Sequence, residues 1–561
     1  MSGHDNDSAS KKKSGAVMGL DPRVAMYGVL TLIFHAWATA AGRNVVGIPV
    51  ILARGLVLVL PTSTRMKRVG IAAFLLYHSW KTALRSPSIW DSDSWTLQAD
   101  LVMAAWLLFG SDNADVVCRA IQDMFAWYYF AAGFWKLNSH FWDPNASCAT
   151  VFFVQMVAQY ISPFVSLDTA TTIAGGAKAI APAATLFIEL LQGSLMVLGL
   201  KNRTCARAGV MFAIIFHLAV CFTPRPNDIS GFALSCSARL IACASAEGTL
   251  ATTRKVVEWS PYLAVFAGAI SAFGWTWWET PNNWAFALYV ASGGFVFIAV
   301  GSESTQEART PVRRTRWSWL ASGIAFAYAF LGLMTGLQEE GTPNMFANLK
   351  VHGGSNHFLL PTGLLFHAFA DAPDSHPFGG GVVRIEKTTS NWLQTVYPAD
   401  LTPILMPSNA VQLLERVGNP SPSFFNPGAS RILGITPPPV RFFRYTVPAL
   451  ELKRLLREAK SHDGDFDLTY AQLPGTRGDE YWRASAVKRL FTVEVRDGQV
   501  TKCDIFDGIS NKTAPCGPTD LPMLSDDAVP SILKRISMHH AYPIVTDDMD
   551  KLPPSIVCFG P

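Results

Sequence analysis

The stretch from Phe125 to Pro144, FAWYYFAAGFWKLNSHFWDP, runs through aromatic and small residues and reaches Lys136 just before a short polar turn. A lysine held against such walls is poorly solvated, the condition under which an amine can give up its proton and act as a base. The same spacing also suits a snorkelling lysine, with its stem along lipid and its head at the interface. Glu189 falls midway along the apolar segment Pro182 to Leu200, and His217 falls midway along Val210 to Cys221. Ionisable groups at such depth are costly and face a bundle interior. An amine, a carboxylate and an imidazole from three helices can form one buried catalytic site for proton transfer, and each can equally be a helix-packing hydrogen bond. His35 and His78 have the same two readings. Asn138 and His140 are placed either to orient Lys136 or to cap the helix end.

A second distinctive run is Pro343 to Pro361, PNMFANLKVHGGSNHFLLP. Gly353-Gly354 permits a sharp turn, so His352, Asn356 and His357 can lean back over a membrane mouth as cofactor-binding groups beside Asn138 and His140. The other reading of this run is a plain junction between two domains. Asp463, Asp465 and Asp467 lack the Gly and Glu positions of a calcium loop and read as a solvated turn. No Walker loop, dinucleotide fingerprint, CxxC pair or HExxH site is present, and no metal site is expected.

These residues need elements to hold them. The 561-residue chain is 50% hydrophobic, with 17 Trp, 35 Phe and a mean hydropathy of +0.22. That excludes a disordered, collagen-like or disulfide-stapled mini-protein. Charged residues number 45 in the first 344 positions and 43 in the last 217, so the first part suits lipid and the second reads as globular. A net charge of +4 is too small and too dispersed for a nucleic-acid partner. Residues 1–23 read as a disordered cytoplasmic tail containing Lys11-Lys12-Lys13, without a cleavable signal. Apolar segments follow at about 24–41, 45–61, 69–84, 97–110, 118–135, 180–200, 208–223, 229–246, 262–279, 284–300 and 317–337, giving nine to eleven spans within a domain of residues 24–344. Trp and Tyr at their edges suit interfacial belts.

Short loops rich in Lys and Arg stay cytoplasmic. Placing Lys11 to Lys13, Arg65 to Arg68, Lys201 to Arg207, Arg254-Lys255 and Arg313 to Arg316 inside requires Cys148 to Val165 to be interfacial or re-entrant. Residues 345–561 then lie outside or in a lumen, together with the sequons at Asn145 and Asn511, whereas the Asn202 sequon falls inside. In this second part Val382 to Ile385, Arg441 to Tyr445, Phe491 to Val495 and Gln499 to Phe506 alternate apolar and polar residues, and Asp497-Gly498 predicts a hairpin. Ala449 to Ala459 is an amphipathic helix. The fold class is therefore an α-helical multi-pass membrane bundle followed by a mainly β soluble domain, in which two of Cys503, Cys516 and Cys558 can pair.

At these residues the sequence resembles the vitamin K-dependent gamma-carboxylase family and its microbial relatives that share the horizontally transferred transmembrane domain. The resemblance is carried by an aromatic-rich helix ending in Gly-x-x-Lys-Leu-(Asp/Asn)-x-x-aromatic, here Gly133 to Trp142 with Lys136 and Leu137. It continues through the Glu189 helix, the apolar-His-apolar helix at His217, a helix opening near Phe232, and the junction Met345 to Leu349, similar to Met-Phe-Ser-x-Leu. It covers about residues 24 to 385. One lysine stands where the carboxylase has two, and Asn138 replaces an aspartate.

The resemblance implies a luminal site with vitamin K hydroquinone or another quinone as cofactor, in which Lys136 deprotonates the hydroquinone form, with His217 and Glu189 tuning or relaying charge. Oxidation of that cofactor then drives carbanion formation on a protein glutamate, which captures carbon dioxide, a carboxylase (carbon-carbon lyase) reaction. It implies an endoplasmic reticulum or other endomembrane glycoprotein with membrane lipid and a luminal protein substrate as partners. The alternative is a non-catalytic membrane protein whose bundle binds lipid and whose β domain recruits a partner. A transporter is a third reading, for which no paired Gly/Pro-broken helices are seen.

Overall fold

The computed structural model describes residues 19–40, 48–59, 62–85, 91–110, 113–224, 227–258, 283–302 and 315–339, most of 341–395, then 406–418, 444–473, 489–508, 510–517 and short pieces up to residue 544. Uninterrupted apolar runs must satisfy their backbone groups internally once lipid surrounds them, and they form helices. These are α1 (Pro22–Ala40), α2 (Ile48–Val59), α3 (Thr64–Arg85), α4 (Asp91–Phe109), α5 (Asp115–Phe134), α8 (Leu167–Leu198), α9 (Arg203–Cys221) and α10 (Ser230–Leu240), with later helices Asn283–Gly301 and Arg316–Thr335. Two short helices, α6 (Ser139–Trp142) and α7 (Cys148–Tyr160), follow α5. The expected segment 262–279 lies outside the described residues. Among the described residues four helices are long and apolar enough to cross a membrane: α8, α9, Trp284–Gly301 and Arg316–Thr335. The architecture is that of an integral membrane protein.

One end of the bundle is fixed by arginines that cap helix C-termini, where unpaired carbonyls and the helix dipole favour a cation. Arg68 of α3 donates to the carbonyls of Leu107 and Gly110 at the end of α4, each at 3.1 Å. Arg119 of α5 donates to Leu200 O at 2.6 Å, just beyond α8. Arg207 of α9 donates to Gly301 O at 2.8 Å. The starts of α3, α5 and α9 and the ends of α4, α8 and Asn283–Gly301 therefore share one basic end. Arg23 adds the start of α1 through its ion pair with Asp115 at 2.8 Å.

α8 holds 32 residues, ~48 Å at the helical rise, against ~30 Å of hydrocarbon. Its N-terminal part packs beyond the opposite end, where Ala170 and Ala174 meet Val151 and Val154 of α7 and Leu413 and Leu414 of the amphipathic helix Ser408–Arg416. Lys178 Nζ donates to Val417 O at 2.6 Å. The stretch from Cys148 is thus a short helix sandwiched under the second domain.

That domain is a seven-stranded antiparallel sheet of order β6-β5-β4-β3-β1-β2-β7, with β1 Val382–Thr388, β2 Arg444–Pro448, β3 Phe466–Gln472, β4 Arg489–Arg496, β5 Gln499–Asp507, β6 Lys512–Pro515 and β7 Tyr542–Ile544. Helix Ala449–His462 lays Leu452, Leu455 and Leu456 into the same core as Ile385, Tyr470, Phe491 and Val493. The β4–β5 turn has φ of +49° at Asp497 and +68° at Gly498, the conformation that an Asp-Gly hairpin supplies. Cys503 and Cys516 form a disulfide joining β5 to the segment after β6, while Cys558 lies outside the described residues. The three aspartates of the 463–467 turn are bound within the protein: Asp463 accepts from Ser390 and Trp392, Asp465 accepts from Asp497 N at 2.6 Å, and Asp467 pairs with Arg496 at 2.8 Å. The sheet domain seats on the bundle where Leu349, Phe366 and Leu450 pack with Trp135, Phe330 and Leu333.

Candidate functional site: a lysine and a glutamate buried at the end of an aromatic helix

α5 carries its aromatic residues into the bundle, and Phe125, Tyr128, Tyr129 and Trp135 are all buried. It ends at Phe134 because the chain tightens into a turn, with Lys136 N donating to Gly133 O at 3.2 Å and Leu137 N donating to Phe134 O at 2.9 Å. Trp135 anchors this turn by donating its indole N–H to Ala329 O at 2.8 Å. Lys136 is thereby aimed across α5 toward α8.

Its Nζ lies 2.8 Å from Glu189 Oε2, with side-chain exposures of 5% and 9%. Nζ also donates to Ala132 O at 3.2 Å and stands 5.8 Å from the Phe141 ring centre. The pair is possible because α5 and α8 touch backbone to backbone: a Cβ on Gly133 would lie 2.8 Å from the Glu189 carbonyl carbon, and one on Gly193 would lie 2.5 Å from Phe130 Cα. Counting from Leu200, Glu189 is ~16 Å into the bundle from the basic end.

Asn138 is the hub of the turn. Its side-chain oxygen accepts from His140 N at 3.1 Å and Phe141 N at 2.9 Å, capping α6, and its amide donates to Trp135 O at 2.8 Å and Ala347 O at 2.7 Å. His140, half-buried, belongs to this cap through its backbone. His357 folds back over the same turn. Its Nε2 donates to Phe134 O at 2.9 Å, and its Nδ1 accepts from Leu359 N at 3.2 Å and Leu360 N at 3.0 Å. Burial holds the His357 pKa below the ordinary histidine value. Phe358 N donates to Leu137 O at 2.9 Å, so the junction runs alongside the lysine turn as a short bridge. His352 and Asn356 lie outside the described residues.

His217 is buried two helical turns from Lys136 along α5, where its Nε2 is 3.5 Å from Tyr129 Oη and its ring lies 5.2 Å from Phe232. Lys136 and Glu189 are therefore brought into contact, while His217 joins them only through the aromatic wall.

Sequence reasoning missed Asp91. It is the first residue of α4, which starts at the end of the bundle where α5 finishes, and it is buried within electrostatic reach of Lys136. Its Oδ1 accepts from Ser92 N at 2.8 Å, whereas its Oδ2 is buried without a hydrogen-bond partner among the described residues. The signal was the polar start DSDS ahead of an apolar run, which reads as a loop until α4 is seen to begin there.

A second buried polar cluster joins His35, His78 and Asp100, whose possible ligand atoms all lie within 4.8 Å of one another. Asp100 already accepts from Tyr27 Oη at 2.6 Å and from Arg239 at 3.2 and 2.8 Å, and His78 Nδ1 is 3.2 Å away. An ion would have to displace Arg239 to gain that carboxylate.

A family described as a domain of unknown function (DUF8388) matches residues 355–535. The match falls on most of the sheet domain and begins after Arg316–Thr335, the last long helix of the bundle. No curated protein and no solved structure matches the chain.

Proposed function

We propose that this membrane protein is an enzyme of the gamma-carboxylase type, in which Lys136 and Glu189 form the proton-transfer centre for a quinol. The observation that supports it most is the 2.8 Å contact between the two side chains, both more than nine-tenths buried. The donor set suits a hydroxyl: Asp91 Oδ2 is a buried acceptor without a donor among the described residues, while Trp95 and Tyr128 are fully buried and stacked on each other at 5.3 Å. When bound, a vitamin K hydroquinone or related quinol would supply the redox chemistry that activates a glutamate for carboxylation.

The chain's own part is to hold and move a proton. Passing a proton from Lys136 Nζ to Glu189 Oε2 turns an ion pair into a neutral pair without changing net charge, which a low-dielectric interior favours. The neutral amine can then accept a ligand hydroxyl proton at Nζ. Asn138 and His357 act on this step by position, fixing the turn from which Lys136 projects.

We place the sheet domain in a lumen, the endoplasmic reticulum or another endomembrane compartment, where a peptide glutamate would be the substrate. Cys148 is disulfide-bonded and so are Cys503 and Cys516, as in an oxidising compartment, whereas Cys205 at the basic end is a free thiol. Arg203 and Arg207 at that same end agree with a cytosolic position.

A second reading is a lipid-holding bundle whose sheet domain, the part matched by the family of unknown function at residues 355–535, recruits a partner. Mass spectrometry of the organic extract from the purified full-length protein separates the two. A quinone recovered from the wild type and depleted in Lys136→Ala supports the enzyme. Membrane lipids alone, equally in both proteins, support the second reading.

A further inference from the structure

We propose that the turn from His357 to Leu360 is an interaction surface for lipid, whose exposed Phe358 and Leu359, together with Trp142 of α6, lie among the acyl chains of the leaflet opposite the basic end. The inference rests on the membrane-spanning architecture and is independent of the quinol reading.

Two helices set the depth of this turn. Arg316–Thr335 runs parallel to α5, tied to it where Trp127 Nε1 donates to Ser322 Oγ at 2.7 Å and Trp135 Nε1 donates to Ala329 O at 2.8 Å. Ala329, level with Trp135, lies ~20 Å along its helix from Arg316 at the basic end. On α8, Glu189 lies ~16 Å from Leu200 at that same end. Against ~30 Å of hydrocarbon, the turn after α5 therefore stops short of the far boundary. Phe358 N donates to Leu137 O at 2.9 Å and Asn138 bridges to His357, which holds the second turn at the level of the first.

Non-helical backbone at such a depth has to pair its own polar groups, because no water is there to do it. The turn meets that demand. Phe358 N–H is taken by Leu137 O, the N–H groups of Leu359 and Leu360 are taken by His357 Nδ1 at 3.2 and 3.0 Å, and Pro361 has no N–H to pair.

The side chains divide accordingly. His357 is buried and Leu360 packs on the cluster of Trp135 and Phe330, whereas Phe358 is 55% and Leu359 66% exposed, and Trp142 is 52% exposed. Phe187, two residues from Glu189 on the apolar helix α8, is 66% exposed at a similar depth, so the turn continues the lipid-facing surface of the bundle. Large apolar side chains held out in water would be costly, and acyl chains remove that cost. A Trp on the same rim suits the boundary layer. The turn falls inside residues 355–535, so the lipid contact belongs to the start of the matched domain.

The test uses benzoylphenylalanine, which cross-links to neighbouring C–H bonds on irradiation, placed in turn at Phe358, Leu359, Phe187 and Thr492 of the full-length protein in phosphatidylcholine nanodiscs. All four positions are exposed, Thr492 on β4 of the sheet, so each variant is expected to elute as the wild type does. Positions 358 and 359 are expected to gain phosphatidylcholine adducts as position 187 does, leaving an acyl chain on the peptide after saponification, and position 492 is expected to gain none. Adducts at 187 without adducts at 358 and 359 overturn the proposal. Attachment at 358 and 359 through the headgroup, or a cross-link there to a second copy of this chain, overturns it as well.

Discussion

Gly133 lies flush against Glu189: a side-chain carbon there would come within 2.8 Å of the Glu189 carbonyl carbon, and this contact lets Lys136, three residues on, reach Glu189 Oε2. Gly193 makes the reciprocal approach to Phe130. Gly133→Ala and Gly193→Ala are predicted to force the helices apart, at a cost of about 1–3 kcal/mol. Gly175→Ala and Gly176→Ala, on the same α8 but with open space around them, are predicted to stabilise by up to ~1 kcal/mol through helix propensity. Thermal unfolding in detergent checks both signs.

Breaking the pair from one side leaves a buried charge without compensation. Lys136→Met and Glu189→Leu are each expected to lose about 3–5 kcal/mol, and the double variant to recover most of that loss. Additive losses in the double variant would mean that the two groups do not interact in the folded protein.

Asn138 donates twice and accepts twice, so its replacement removes both a helix cap and the tie to Ala347. Asn138→Ala is predicted to cost at least the ~1–2 kcal/mol of a lost cap. Asn138→Asp keeps the cap but sets a carboxylate against the carbonyls of Trp135 and Ala347, so it is predicted to be destabilising as well. Unfolding midpoints of the two variants test this directly.

His357 accepts two backbone N–H groups at Nδ1, which requires the neutral ring. Because its folded pKa is lowered, the folded state binds fewer protons than the unfolded state in this range. Its contribution is complete above the unfolded value of about 6.5 and is lost as pH falls toward the folded value. The wild type is predicted to lose more stability between about pH 7.5 and about pH 5 than His357→Gln does. Equal losses would remove His357 as the titrating group.

Sidedness has its own test. Asn511 is exposed at the turn before β6, and Asn145 is exposed three residues ahead of the disulfide-bonded Cys148. Glycan removal is predicted to shift the mobility of the wild type less in Asn511→Gln and not at all once Asn145→Gln is added. A glycan on Asn202 would reverse the orientation.

Much of this was legible beforehand because one physical rule dominated each feature. Apolar runs about 20 residues long marked α1, α5, α9 and Arg316–Thr335 to within a few positions, since lipid leaves the backbone no other solution. Asp497-Gly498 located the β4–β5 hairpin because few residue pairs accept two positive φ angles. β3 was not legible: FDLTYAQ sits directly after an acidic turn, and it is pairing on both sides, with β1 and β4, that makes it a strand. The length of α8 was missed because residues 167–179 carry Asp168, Lys178 and two glycines, and they are helical through packing on α7 and on Ser408–Arg416. Within the site, the meeting of Lys136 with Glu189 depends on glycine contacts between helices distant in sequence. Asp91 becomes visible only once α4 is known to start beside the end of α5.

The most direct measurement is quinol-dependent incorporation of labelled bicarbonate into a glutamate-containing peptide by purified full-length protein, wild type against Lys136→Ala, with quinol oxidation followed in parallel. Both activities are expected in the wild type, with a loss of at least about a hundredfold in the variant, the contribution of a positioned base. Neither activity in folded wild-type protein, or equal activity in Lys136→Ala, contradicts the assignment of Lys136 as the base.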